Sequence, residues 1–104
     1  MNDPFRALAH PIRRGIVEQL ARGPASVGEA TREFGVSKPA ISKHLRVLEQ
    51  EGVIVREIDG RVHRLSLDTA VLGEASEWVD RQRARWEGLF DAVDEYLDER
   101  KEQR

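Results

Sequence analysis

Pro39, Ser42, Lys43 and Arg46 have the residue types and the spacing to engage a polyanion. Read as a helix, the segment Val36 to Leu48 separates into two faces. Ile41, Leu45 and Leu48 fall at i, i+4 and i+7 and make a narrow apolar stripe, the core-facing pattern of an amphipathic helix. The four polar-face residues lie roughly 100–200° round the wheel from Ile41. Ser37 is placed to cap the helix, Lys38 lies near its start, and no acid occurs until Glu49. Cations that meet phosphates, together with short polar groups that reach base edges, suit the major groove of duplex DNA. A solvated helix face is the alternative for any such segment taken alone, so its surroundings decide.

Those surroundings begin with composition. The chain has 104 residues, no cysteine and a net charge of −2. One domain is expected, with a core modest enough to gain from a partner. Disulfides and thiolate metal sites are excluded. No apolar run approaches the roughly 18 residues of a bilayer span, and Met1 to Pro4 lacks the regions of a signal peptide, so a cytoplasmic location is expected. The average charge hides a gradient. Over residues 1–67 there are 11 Lys and Arg against 8 Asp and Glu; over residues 68–104 there are 6 against 11. A basic body with an acidic tail is compatible with a nucleic-acid partner.

Along the chain, Asp3-Pro4 predicts a first short helix with Phe5 and Leu8 facing inward, ended by His10-Pro11. A second helix from about Pro11 carries Ile12, Ile16, Val17 and Leu20 on one face and stops at Gly23-Pro24. Ser26 and Glu29 form a capping box in which each satisfies the other's backbone donor; the helix it opens bears Val27, Ala30 and Phe34. Gly35 is expected in the left-handed conformation that ends it. Short helix, turn, second helix over residues 37–51: this is a helix-turn-helix layout. Beyond Gly52, residues 54–58 and 61–67 are rich in β-branched residues and flank Asp59-Gly60, a hairpin signal in which both turn residues take positive φ. With Arg56, Arg61, His63 and Arg64 upon it, the hairpin reads as the wing of a winged-helix domain.

Asp68-Thr69 caps a last helix running to about Arg100, about 45 Å long, with Lys101 onward as a frayed polar tail. Leu72, Ala75, Val79, Gln82, Trp86, Leu89, Val93 and Tyr96 recur along it at spacings of three and four, a seam of period 3.5 broken by Gln82. Trp78, Phe90 and Leu97 broaden that surface. So long a helix outruns a body of residues 3–67, and part of its apolar face calls for a second copy; packing within one chain is the alternative. The expected fold is therefore mainly α with a small β-hairpin: a winged helix-turn-helix with its wing at about 54–67 and a C-terminal dimerisation helix over 68–100.

This order of elements resembles the ArsR/SmtB-type family of bacterial winged-helix repressors, and particular residues carry the resemblance. Phe5-Arg6-Ala7-Leu8-Ala9-His10-Pro11-Ile12-Arg13-Arg14 is similar to the family's N-terminal signature. Val36 to Leu48, followed by Glu51-Gly52-Val53-Ile54, is similar to its recognition helix and the start of its wing, and Gly60-Arg61 sits where the family has its wing tip. The resemblance implies a homodimer that binds an inverted-repeat operator and represses its own operon. One departure stands out. The metal-sensing members use cysteines in the helix before the recognition helix, or spaced Asp and His ligands in the terminal helix. Here Ser26 to Phe34 holds neither Cys nor His, and the terminal helix has no His. No metal and no cofactor are expected, and the effector is left open.

The expected DNA-binding residues are thus Ser37, Lys38, Pro39, Ser42, Lys43, Arg46, Arg61 and Arg64. Lys43 and Arg46 suit guanine O6/N7 or phosphate. Lys38 suits phosphate. Arg61 and Arg64 suit the minor groove or its backbone, with solvent as the alternative. The expected dimer interface comprises Phe5, Leu72, Val79, Trp86, Leu89 and Val93. His44, about 60° from Ile41, reads as a packing histidine in preference to a phosphate contact. Arg13 and Arg14 suit phosphate or balance the acidic terminal helix. A second hypothesis is a winged-helix module for protein–protein assembly, its basic face on an acidic partner. No nucleophile–base pair, glycine-rich phosphate loop or metal cluster supports an enzyme.

Overall fold

A computed structural model of the chain describes residues 1–102. Helix α1 spans Pro4–Ala7, α2 Pro11–Leu20, α3 Val27–Thr31 and α4 Lys38–Gln50; strands β1 (Ala25–Ser26), β2 (Ile54–Asp59) and β3 (Val62–Leu67) form an antiparallel sheet in the order β1-β3-β2; α5 spans Thr69–Glu102. Two compact units result. One comprises Met1–Gly73, and the second begins at Glu74 and carries the rest of α5.

The first unit is built round α4. Ile41, Leu45 and Leu48, the predicted stripe, are all buried, with Leu48 fully so. They join Ile16 and Leu20 of α2, Ala30 of α3, and Val53, Ile54 and Leu65 of the sheet in one core, to which Val71 adds. Burying each leucine or isoleucine is worth about 1.5–3 kcal/mol. At its start, Ser37 is extended and its hydroxyl accepts from the Ala40 N–H at 3.3 Å, while Pro39 stands in the first turn, where a missing N–H costs nothing. At its end the chain forms a Schellman motif. Val53 N–H donates to the Leu48 carbonyl at 3.0 Å and Gly52 N–H to Glu49 at 3.1 Å, with Gly52 at φ +71°. Val53 and Leu48, the apolar partners of that motif, are both fully buried.

Several sequence expectations need correction. In α1 it is Pro4 and Ala7 that are buried; Phe5 is 46% exposed and Leu8 half-buried, because one turn of helix turns its small residues towards the core. His10 does more than end α1: its Nδ1 accepts from the Ile12 N–H at 3.1 Å and so caps α2. The Ser26–Glu29 box forms differently. Ser26 Oγ accepts from the Glu29 N–H but donates to the Glu29 carboxylate, since the Ser26 backbone belongs to β1, a strand the sequence did not announce. Helix α3 closes at Thr31, before Phe34, and Gly35 is not in the left-handed region.

At the hairpin, Asp59 pairs with Val62, so the turn residues are Gly60-Arg61, and only Gly60 has positive φ, at +60°. This is the pattern with glycine at the first turn position rather than Asp-Gly with both residues left-handed. In α5, Asp68 Oδ1 accepts from the Ala70 N–H at 3.0 Å, and Lys101 is still helical, while residues 103–104 of the expected tail lie outside the described residues. Leu72 packs against the core of its own unit.

Gly52→Ala tests the stop signal of α4. A side chain in the left-handed region costs about 1–2 kcal/mol, and an added Cβ would meet the Asn2 side chain at 2.6 Å. Urea unfolding is expected to show a loss of at least that size, with an unchanged m-value.

Candidate nucleic-acid interface

Burying the Ile41–Leu45–Leu48 stripe forces the other side of α4 outward. Ser37, Lys38, Pro39, Ser42, Lys43 and Arg46 are all exposed, as predicted from their spacing. Among the described residues, Lys38, Lys43 and Arg46 enter no salt bridge. The placement of Lys38 also opposes the helix dipole. The first turn of α4 has no acid and the last turn no base, with Lys38 at the positive end and Glu49 near the negative one. Each such placement costs a few tenths of a kcal/mol, since helix N-termini favour anions. Glu49 has an internal partner in Arg56, but Lys38 has no salt bridge among the described residues, and a local rule broken without an internal gain fits a surface made for a partner. What this face can do chemically is donate hydrogen bonds and supply positive charge.

The wing arginines divide between two places. Arg61, in the turn, lines a cleft of about 380 Å³ with Ser26, Gly28, Arg56 and His63. Arg64 is exposed on the opposite face of β3 from the buried Leu65, with which it alternates. Sequence reading treated them alike; the structure places one in the turn and the other within β3.

Two fasteners hold these surfaces to the body, and residue types alone did not reveal them. In the first, Arg56 of β2 donates from Nε (3.1 Å) and Nη2 (2.5 Å) to Glu49 Oε1 of α4, and from Nη1 to His63 Nδ1 of β3 at 3.0 Å. It thereby ties the recognition segment to both strands of the wing. In the second, Arg13 of α2 donates from Nε to the Ala7 carbonyl (2.8 Å), from Nη2 to the Arg6 carbonyl (3.1 Å), and from Nη1 to His44 Nδ1 of α4 (3.2 Å). Arg14 donates to the Leu8 carbonyl at 2.8 Å. Both arginines, expected at phosphate or at the acidic helix, instead turn back onto the end of α1. Arg6 in turn meets Glu51, the buried acid at the end of α4, at 2.7 Å.

His44 is the packing histidine expected from its place on the wheel. Its ring lies 4.3 Å from that of His10. Burial first, then the charges of His10, Arg13 and Lys43, hold its pKa below the ordinary 6.5. Burial and the Arg6 charge likewise lower that of Arg13. Among the described residues no three His, Cys, Asp or Glu side chains converge as metal ligands, and no helix is long and apolar enough to cross a membrane.

On the second unit, Val79, Trp86, Leu89 and Val93 are 36%, 55%, 60% and 46% exposed, and Phe90, Tyr96 and Leu97 are exposed beside them. Contiguous apolar area of this kind marks an interaction face.

Comparison with known proteins gives a consistent outcome. A sequence profile described as "Bacterial regulatory protein, arsR family" matches residues 10–55. The transcriptional repressor SdpR of Bacillus subtilis is 38% identical over 76% of this chain and 88% of its own length. The HTH-type transcriptional regulator Rv2034 of Mycobacterium tuberculosis is 40% identical over 74% of this chain and 72% of its own length. A crystal structure of an ArsR family transcriptional regulator superposes with a TM-score of 0.73 at 35% identity, covering 80% of this chain and 86% of that one.

Arg56→Lys tests the wing fastener, since one ammonium cannot reproduce the fork that serves Glu49 and His63 together. Amides of β2 and β3 are expected to exchange about fivefold faster, the equivalent of about 1 kcal/mol for a partly exposed pair, while those of α2 stay protected.

Proposed function

The chain belongs to the arsR family of bacterial regulatory proteins, and from that premise we propose that it is a cytoplasmic transcriptional repressor that binds an inverted-repeat operator as a homodimer. The observation that carries this reading is the bare cationic face of α4, whose charges have no salt-bridge partner among the described residues and whose Lys38 stands against its own helix dipole. Phosphates would relieve that arrangement, and the groove would accept the helix.

In this reading Ser42, Lys43 and Arg46 face base edges or phosphates, with Pro39 against the groove wall. Ser37 and Lys38 meet the backbone at the helix start. Arg64 and the turn residue Arg61 take flanking DNA. The seam of Val79, Trp86, Leu89 and Val93 on α5 is covered by a second copy, and Phe5, exposed on the first unit, is a further candidate for the dimer interface. Leu72, already packed in the core, contributes less to that seam. Two-fold symmetry sets the two copies of α4 about 34 Å apart, one turn of DNA or a multiple of it. No enzymatic role is assigned.

The test is a gel shift on duplex DNA from upstream of the protein's own gene. Affinity is expected to fall steeply with salt as counterions are released at each phosphate contact. Lys43→Ala and Arg46→Ala are each expected to cost on the order of 1–3 kcal/mol if they read bases bidentately. Unchanged affinity in both would remove α4 from the mechanism. Separately, Leu89→Glu is expected to turn a sedimenting dimer into a monomer and weaken operator binding with it; a wild-type monomer at micromolar concentration would defeat the dimeric reading.

A further inference from the structure

All three histidines of the chain use Nδ1 in the same way. His10 Nδ1 faces the Ile12 N–H, His44 Nδ1 faces Arg13 Nη1, and His63 Nδ1 faces Arg56 Nη1, at 3.1, 3.2 and 3.0 Å. A backbone N–H and a guanidinium can only donate. Each of these contacts is therefore a hydrogen bond only when the imidazole accepts, which requires an Nδ1 that carries no proton. Two of the three bonds are the ones that fasten the DNA-facing elements: His44 is the point at which α2 grips α4, and His63 is the point at which Arg56 grips the wing.

We propose that these imidazole acceptors form a proton-sensitive latch that holds α4 and the wing in DNA-reading geometry only while the histidines are neutral. Protonation of Nδ1 replaces an acceptor by a donor that faces another donor, and sets a cation against a cation. Around His44 the facing charged and titratable groups are Arg13 of α2, His10 at the head of α2, and Lys43 of its own helix, with Arg6 of α1 behind Arg13. Around His63 they are Arg56 of β2 and Arg61 of the turn, with Glu49 of α4 behind Arg56. The two carboxylates attached to these networks, Glu49 and Glu51, are engaged by Arg56 and Arg6.

The sign follows from linkage. Because the fold holds the His44 pKa below its unfolded value, the folded state binds fewer protons. Its contribution is whole above pH 6.5 and is lost as pH falls from there through the folded value. The DNA-binding half of the latch rests on the repressor reading; the tautomers do not.

Two measurements on the full chain decide it. Long-range proton–nitrogen spectra of imidazole-labelled protein at about pH 7.5 are expected to show all three rings neutral with the proton on Nε2. A proton on Nδ1 of His44 or His63 would overturn the latch. Next, a duplex selected by the protein from a random pool is titrated at constant salt from about pH 7.5 to about pH 5.5. The wild type is expected to lose about tenfold or more in affinity. A flat profile, or one that rises on acidification as simple phosphate attraction dictates, overturns the proposal. In the variant His10→Asn, His44→Asn, His63→Asn, each amide oxygen can replace Nδ1 as acceptor without titrating. Its affinity is expected to change less than about twofold over the same range. Failure of that variant to fold leaves the wild-type profile and spectra to decide. Should no duplex bind at any pH, the repressor reading fails, and the spectra still determine whether the imidazole bonds exist.

Discussion

The structure depends on holding a helix by one face while leaving the other bare. Ile41, Leu45 and Leu48 bury a narrow stripe three residues long, and the core assembled on it draws from α2, α3, the sheet and the start of α5. An apolar stripe fixes which side of a helix faces inward, but dispersion and hydrophobic contacts are non-directional and resist rotation or sliding only weakly. Directional bonds supply what the stripe lacks. Arg13 reaches α4 through His44, Arg56 reaches it through Glu49, and Arg6 reaches its end through Glu51. These three lie along the flanks of α4 and at its C-terminal end, away from the exposed cationic side.

The same division explains where charge sits. The arginines engaged in fasteners, Arg6, Arg13, Arg14 and Arg56, satisfy carbonyls, carboxylates or imidazoles of the body. The cations of the outward face, Lys38, Lys43 and Arg46, enter no salt bridge among the described residues. Positive charge at the start of α4 weakens the free protein slightly and is recovered only against an anion. Function is visible here as a local departure from what would stabilise the helix alone.

Histidine gives this arrangement a further property. An arginine paired with a carboxylate is indifferent to pH near neutrality, whereas an arginine that donates to an imidazole is not, because the acceptor disappears when it takes a proton. The fold uses both kinds. Glu49 and Glu51 anchor the two ends of the networks, and His44 and His63 sit where those networks meet the surfaces that face outward.

Much of this was legible in the residues. The period of Ile41, Leu45 and Leu48 decided which side of α4 is buried and so which side carries Ser42, Lys43 and Arg46, because a 3.6-residue repeat leaves no other arrangement. Ser37 and Gly52 marked the two ends of that helix, and the β-branched runs around Gly60 marked the hairpin. Only tertiary structure decided the rest. Whether Arg13 meets a phosphate or a carbonyl depends on α1 folding back over α2, which no local pattern encodes. Whether Gly35 or Gly52 takes positive φ depends on where each helix stops, and α3 stopped three residues before Phe34. The hairpin slid by one residue, placing Gly60-Arg61 in the turn and Arg64 within β3 opposite the buried face of Leu65, because strand register is settled by pairing across the sheet and by Leu65 entering the core. Spacing within one element is a property of the chain; the partner of a long polar side chain is a property of the fold.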